Sequence, residues 1–524
     1  MQSVPFLSLA IWIPILFGVA VLRLGSDRHP QRARWLSLIG SIVGLLLTLP
    51  LISGFDNHQA GMQFVEFRNW LPEFGVAWRL GIDGISMWLV VLTAFTTLVI
   101  VIASWESITV RVAQYFGAFL ILSGLMVGTF AATDGMLFFV FFEATLIPLY
   151  LLIGTWGHAR RTYAAVKFFF FSFGGSLLML LSMLYLYSQS HTFDMSAWHN
   201  LTALGFVPQL LVFIGFFAAF AVKVPMWPFH TWLPDVHLEA PTGATVLMAM
   251  LKLGGYGFLR FTLPITPDAA HFFAPVIITM SLVAVVYSSL LALAQTDMTK
   301  LLAYSTVAHM GLVTLGLFLF NQIGTEGAIV QMISYGFVSG ALLLSVGVLF
   351  DRTKTRTIAA YGGVVNVMPR YATFMMLFCM ANLGLPGTSG FVGEFMVIMG
   401  AIRVNFWIGA IATTTVVLSA AYTLWMYKRV IFGAVANKGV AKLTDIGRRE
   451  TLIFASLAAL VLAVGIYPKP MTDAIELSAA NLVAQAGRTK QPTDEAANAS
   501  TDAVRAGSAG ADVRAVSLTE RSPT

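Results

Sequence analysis

Four ionisable side chains lie deep inside long apolar runs of this sequence. Glu143 stands in FFVFFEATLIPLY, Lys223 in FFAAFAVKVPMWP, Lys252 in VLMAMLKLGGYGF and His309 in LLAYSTVAHMGLV. Glu394 in GTSGFVGEFMVIMG and Glu106 in IASWESITV lie nearer to the ends of their runs. These residue types suit proton transfer. Burial lowers a lysine pKa by about 3–5, so a desolvated amine gives up its proton near neutral pH. A nearby carboxylate opposes that shift, and withdrawing it releases the proton. A Glu–Lys pair such as Glu143 and Lys223 is therefore an electrostatic switch. His309 titrates close to neutral without help, and Glu394 is placed to accept and release a proton near one surface.

The elements that must hold these groups are membrane helices. Of 524 residues, 57% are hydrophobic and 11% are charged, against about 25% charged in a soluble domain. Mean hydropathy is +0.80. This composition excludes an ordinary water-soluble enzyme and a disordered chain, which needs low hydrophobicity and high charge. The single cysteine, Cys379, excludes an internal disulfide framework and a Cys-rich iron–sulfur or zinc site. The net charge of +6 is scattered between apolar runs and forms no nucleic-acid patch. A charged group at the centre of a membrane helix costs about 2.5–3.5 kcal/mol on insertion scales, so it must face the bundle interior, find a partner or line water. A structural ion pair answers that need for one residue. Acid, lysine, lysine, histidine and acid on successive spans fit a buried proton route better.

A spanning helix takes about 20 apolar residues. That ruler gives fourteen candidates, near 5–23, 35–53, 84–104, 113–131, 135–154, 163–187, 208–226, 242–263, 273–294, 301–320, 327–350, 371–387, 405–430 and 451–467. The first is too well continued to read as a cleaved signal peptide, and no alternating pattern suggests a membrane β-barrel. The loops on one side carry most of the basic residues, among them Arg23, Arg32, Arg34, Arg160, Arg161 and Lys354. The other side holds Arg68, Arg79, Arg260, Arg403 and Lys469 before the tail. The positive-inside rule puts the rich side in the cytoplasm and both termini on the outer, periplasmic side. From 482 to 524 the chain is poor in large apolar residues and reads as a disordered outer extension.

Two spans are expected to break. Pro225 and Pro228 follow Lys223, removing N–H donors and freeing the carbonyls of Ala221 and Val224 to make a polar, hydratable pocket beside the amine. In LGLPGTSG, Pro386 frees the Asn382 carbonyl, with Gly384, Gly387 and Gly390 around it, shortly before Glu394. Two broken spans five helices apart, each beside an ionisable group, match the inverted-repeat transporter pattern. Gly336 and Gly340 form a GxxxG read as close helix packing. His230 and His237 have a spacing that fits no common zinc motif. Phe168 to Phe171 reads as lipid-facing or core bulk, and Trp227 and Trp232 suit the membrane interface.

The stretch Lys223 to Arg260, KVPMWPFHTWLPDVHLEAPTGATVLMAMLKLGGYGFLR, resembles the signature of the antiporter-like subunits of respiratory complex I. TDMTKLLAYSTVAHMG (296–311) and NLGLPGTSGFVGEF (382–395) are similar to two further blocks of that family. The likeness covers about residues 80–465 and is greatest to the subunit M branch of the bacterial NADH:quinone oxidoreductase, equivalent to mitochondrial chain 4. Glu394 is the discriminator, because the L and N branches usually carry a lysine there. The resemblance implies an all-α polytopic membrane fold of fourteen helices with two inverted five-helix repeats. It implies N-terminal helices over 1–110, repeats over 111–265 and 266–432, a last helix within 433–481 and the tail over 482–524. Carried over residue by residue, Glu143 matches the switch acid, Lys223 its paired lysine, Lys252 the central relay lysine and His309 a relay histidine. Glu394 matches the terminal acid, and Glu106 a further acid at the fourth span. NAD, FMN, iron–sulfur clusters and quinone would belong to partner subunits, and the expected partners are the L- and N-type subunits and the lipid bilayer of the cell inner membrane.

Two departures stand out. Where relatives usually show a second relay histidine, QMISYGFVSG presents Tyr335, whose ordinary pKa of about 10 makes it a poor proton carrier. The segment from Pro241 to Lys252 is also about two residues short, and two residues turn a helix by about 200°, so the chain must absorb the loss for Lys252 to face inward. The leading expectation is a proton-translocating subunit of complex I. The alternatives are a subunit of a Na⁺/H⁺ antiporter or ion-coupled bicarbonate-uptake complex, and a scaffold that kept the fold but lost transport.

Overall fold

In a bilayer core the backbone has no partner but itself, so apolar runs of this length fold as helices. The computed structural model describes residues 4–490 except 26–28, 203, 251 and 436. Thirteen helices are long and apolar enough to cross: Phe6–Leu24, Pro30–Ser53, Ser86–Ala103, Val112–Ala131, Gly135–Trp156, Arg161–Ser190, Phe206–Lys223, Thr242–Ile265, Pro267–Leu293, Met298–Phe318, Gln322–Thr353, Phe406–Ile431 and Arg448–Ile466. Between the eleventh and the last two, Pro369–Asn382 and Ser389–Val404 together supply a broken crossing, here span 12. Each of the fourteen expected runs therefore has its helix, and the protein is an all-α multi-pass membrane protein.

The layers follow from burial. Spans 8, 10 and 11 are 94%, 94% and 89% buried over their apolar windows, whereas spans 1, 2, 13 and 14 are 33% buried. The former are the axis of the bundle, and they carry Lys252, His309 and Tyr335. Gly336 and Gly340 press span 11 onto span 8: a Cβ at Gly336 would lie 3.1 Å from the Met250 carbonyl, and one at Gly340 would lie 2.5 Å from Met250 Sδ.

Both expected breaks are present. Span 7 ends at Lys223. The freed carbonyls are largely reclaimed by protein: Met226 N–H reaches Ala221 O at 2.9 Å, and Trp232 Nε1 donates to Val222 O at 3.0 Å. The polar pocket is accordingly small. Trp232 is buried, held by that bond and by its packing on Phe168. In span 12 the break is turned by Gly384 at φ +76° and Gly387 at φ +89°. A third interruption was not expected. Span 8 parts at Lys252 (φ −115°, ψ 46°) and passes through a wide π-turn over Phe258–Thr262.

Two elements have no counterpart in the sequence reading. Gln63–Leu71 and Val76–Ile82 form an antiparallel hairpin between spans 2 and 3, turned at Gly75 with φ +65°. After span 14, Lys469–Ala486 is a further helix that buries Met471, Ile475, Ser478 and Leu482 at helical spacing. Ser478 Oγ accepts the Gly84 N–H at 3.1 Å, fastening this helix to the entry of span 3. The expected tail from 482 thus begins inside an ordered helix, and 491–524 lie outside the described residues.

Candidate functional site

Glu143 and Lys223 face each other across spans 5 and 7 without forming an ion pair. Among the described residues Lys223 appears in no salt bridge. Its Nζ lies 5.1 Å from the centroid of Phe142 and 5.2 Å from that of Phe168. Two ring faces hold the cation in place of a carboxylate. Phe168, from the run read as bulk, therefore contacts the amine, while Phe170 two residues on is exposed to the surroundings. Glu143 sits one turn before Pro148 in span 5, and its buried Oε1 has no hydrogen-bond partner.

Lys252 is 6% exposed. Because the helix stops at its own position, the side chain folds back to donate to Ala249 O, and its Nζ stands 5.1 Å from the centroid of Tyr335. At the interruption Lys252 faces the bundle interior. Lys223 and Lys252 line one cavity of about 20 Å³, with Thr306 and Met310 on another wall. That is room for about one water.

Beyond Tyr335 the polar contacts become continuous. Tyr335 stacks on His309 with centroids 4.4 Å apart. Its hydroxyl meets Ser305 Oγ at 3.2 Å and donates to Thr306 Oγ1 at 3.4 Å. Ser305 meets the Tyr422 hydroxyl at 2.8 Å, and Tyr422 meets His309 Nε2 at 3.3 Å. Asn382, at the lip of the span 12 break, donates to Thr423 Oγ1 at 2.9 Å. His309 Nδ1 lies 2.9 Å from Glu394 Oε1, angled too far off for a hydrogen bond. Gln331 Nε2 donates to that same oxygen at 3.3 Å. The second carboxylate oxygen points at the break, where a Cβ on Gly384 would lie 2.7 Å away. Glycine there gives both the left-handed turn and the space for the carboxylate.

Five of the six candidate residues thus line the bundle interior, with Glu143 and Lys223 half-buried at one end and His309 and Glu394 fully buried at the other. Glu106 stands apart. It follows span 3, its side chain is 77% exposed, and it pairs with Arg449 at 2.9 Å. The sequence reading missed Tyr422, Ser305, Asn382 and Gln331, whose polar side chains inside apolar runs were the available signal. It also passed over Arg260, assigned to an outer loop. Arg260 is a buried residue of span 8, 2.8 Å from Asp83 and 3.2 Å from the Tyr256 hydroxyl. Among the described residues no three His, Cys, Asp or Glu side chains converge as metal ligands do.

Comparison with known proteins accords with this arrangement. Residues 132–419 match the family model for the membrane part of NADH:quinone oxidoreductase and Mrp antiporters. The chain is 49% identical over 497 residues to NADH-quinone oxidoreductase subunit M of Rhodobacter capsulatus, covering 91% of this chain and 96% of that protein. Among solved structures, a chain of respiratory complex I from Thermus thermophilus superposes with a TM-score of 0.85 at 31% identity, covering 92% of this chain and 100% of that one. A chain of the Mrp complex from Dietzia shares the fold, with a TM-score of 0.80 at 19% identity over 92% of this chain and 98% of its own length. A row of buried amines, hydroxyls and acids carried on broken helices is thus set in a known frame, and the chain belongs to the NADH:quinone oxidoreductase/Mrp antiporter family of membrane subunits, in its subunit M branch.

Proposed function

We propose that this chain is the proton-translocating subunit M of a complex I, moving protons through Lys223, Lys252, His309 and Glu394 while NADH, flavin, iron–sulfur and quinone chemistry runs in partner subunits. The observation that carries the reading is the unbroken sequence of contacts from Lys252 through Tyr335, Ser305 and Tyr422 to His309 and Glu394, inside the most buried spans. Lys223 joins it through the cavity shared with Lys252. Moving one charge outward against 100 mV costs about 2.3 kcal/mol, so the work comes from neighbouring L- and N-type subunits through the Glu143–Lys223 contact. The absence of a formed ion pair there supports a switch resting in its released position, with the amine held by Phe142 and Phe168.

In this reading the basic loops face the cytoplasm and both termini face the periplasm. Residues 111–265 and 266–432 are the two inverted repeats, each with one of the breaks that follow Lys223 and precede Glu394, and 1–110 packs beside them. Glu106 acts at the inner surface as a proton collector, a role its exposure and its neighbour Arg449 support. The 49% identity to a subunit M over nearly its whole length favours complex I over a Na⁺/H⁺ antiporter or bicarbonate-uptake assembly. Lys223→Ala in the assembled complex tests the route. We expect quinone reduction to persist or slow while protons moved per NADH fall. Full pumping with normal quinone reduction would sink the proposal.

A further inference from the structure

A cavity much larger than the one shared by Lys223 and Lys252 lies on the side of the bundle opposite the basic loops. It has a volume of about 180 Å³ and is enclosed by the approach to the hairpin, the 195–200 turn and the helix after span 14. Asp83, Thr133, His199, Arg260, Asn481 and Gln485 are among its walls. At about 30 Å³ per molecule it holds about six waters. Span 8 contributes Arg260, eight residues and about 12 Å along that span from Lys252. A polar space so close to the relay lysine is a hazard to a pump. A proton leaving Lys252 there would bypass His309 and Glu394, and the same path would carry protons back.

What stands between them is specific. Of the described residues that line the cavity, only Asp83, His199 and Arg260 ionise. Asp83 is 5% exposed and Arg260 7%. Asp83 Oδ1 accepts the Ile85 and Ser86 N–H groups at 3.1 and 3.0 Å, and Arg260 Nη2 lies 2.8 Å from that same oxygen. His199 Nε2 donates to the Arg260 carbonyl at 3.0 Å. One turn deeper, the Tyr256 hydroxyl accepts from Arg260 Nε at 3.2 Å and donates to Phe130 O at 2.9 Å. The guanidinium is thus interposed between Tyr256 on the Lys252 side and Asp83 on the cavity side. Neither group at this level can hand a proton on: a guanidinium does not deprotonate in proteins, and the carbonyl that takes the tyrosine O–H only accepts. The rings of Phe130 and Phe138 flank Tyr256, with centroids 5.2 and 6.4 Å from its own.

We infer that Arg260 is the insulator of the proton route, a permanent cation that separates Lys252 from the water of this cavity. Protons on Lys252 are thereby confined to the path through Tyr335, His309 and Glu394, and protons in the cavity do not return to the amine. A fixed arginine charge in a narrow polar passage refuses protons and other cations in water-conducting pores by the same means. A lysine in its place would not serve, because burial lets an amine release its proton. Asp83 fixes the guanidinium across the passage, and the cation, not the carboxylate, is the charge met first from Lys252.

This inference rests on the proton-route reading, and the experiment separates the two. The assembled complex is reconstituted in phospholipid vesicles, and assembly is confirmed by quinone reduction in the presence of a protonophore. Passive proton flux under a potassium diffusion potential is measured without NADH, and protons moved per NADH are measured with it. We expect passive flux to rise at least tenfold in Arg260→Gln and in the double variant Arg260→Gln/Asp83→Asn, whose neutral pair spares the fold an unpaired charge. Asp83→Asn keeps the cation and should stay tight. Adding Lys252→Ala to Arg260→Gln should abolish the leak, which loosened packing alone would not do. The insulator is overturned if the assembled Arg260 variants are as tight as wild type, if Asp83→Asn leaks as much as Arg260→Gln, or if the leak survives Lys252→Ala. Any of these leaves the route standing when Lys252→Ala alone fails to pump. Full pumping by Lys252→Ala defeats the route itself, and the insulator with it.

Discussion

Tyr335 replaces an expected relay histidine, and its hydroxyl is the first atom beyond Lys252 with onward hydrogen bonds. Tyr335→Phe removes that hydroxyl and keeps the ring. The lost contacts, 3.2 Å to Ser305 and 3.4 Å to Thr306, are long. Both partners retain others, Ser305 at 2.8 Å from Tyr422 and Thr306 at 3.0 Å from Leu302 O. No buried group is orphaned, so the loss falls at the low end of the about 0.5–1.5 kcal/mol that a hydrogen bond contributes. If the hydroxyl is a link in the wire, losing about 0.5 kcal/mol from the transfer step slows it about twofold, since about 1.4 kcal/mol is tenfold. Tyr335→Leu also removes the ring face under Lys252, worth about 0.5–2 kcal/mol, and the further loss makes it at least another two- to threefold slower. The assay is the initial rate of proton uptake by vesicles containing the assembled complex, normalised to quinone reduction. Wild-type rates in both variants would refute the claim that protons pass by Tyr335. A defect in Tyr335→Leu with none in Tyr335→Phe would restrict its role to holding Lys252.

Two other perturbations probe the ends of the row. Gly384→Ala should cost about 1–2 kcal/mol for its left-handed backbone and more for the Glu394 oxygen 2.7 Å from the new methyl. The second part should vanish in a Glu394→Ala background. A thermal-stability cycle giving the same cost in both backgrounds would show that the glycine does not serve the carboxylate. Glu106→Gln breaks an exposed pair that contributes about 0–1 kcal/mol and leaves Asp351 and Glu450, which with Arg449 line a cavity of about 220 Å³, so pumping should stay within twofold. A tenfold loss would place Glu106 inside the relay.

Much of this protein was legible from composition and periodicity, because a membrane helix must satisfy its own backbone and advertise itself as an apolar run. All fourteen runs became helices, and Pro225 and Pro386 marked real breaks, since a missing N–H is a local fact. The interruption at Lys252 was not legible. No proline marks it, and it lies beside Met250, which packs on Gly336 and Gly340 of another span. The hairpin at 63–82 was missed because its strands alternate over only a few residues beside long apolar signals. Within the site, the residue types were legible but not their partners. Lys223 looked like half of an ion pair and instead rests on Phe142 and Phe168, a contact between spans that sequence spacing does not encode.

The contrast with Arg260 bears on why these charges are kept. Arg260 and Asp83 are nearly as buried as Lys252, and they form a direct pair at 2.8 Å, with the Tyr256 hydroxyl added. That is what a structural solution to a charge in a membrane helix looks like: fixed partners, and a strong penalty of about 3–5 kcal/mol if one is removed. Lys223 and Lys252 lack such a partner. They are held by ring faces and a carbonyl, which stabilise a cation without committing it, and they share space for about one water. A lysine with a carboxylate clamped to it would keep its proton throughout any cycle. One held by polarisable, uncharged neighbours has no fixed counter-charge, so a charge arriving several ångströms away acts on it unopposed. Arg260 anchors span 8 through Asp83; eight residues earlier on that span, Lys252 has no charged partner among the described residues.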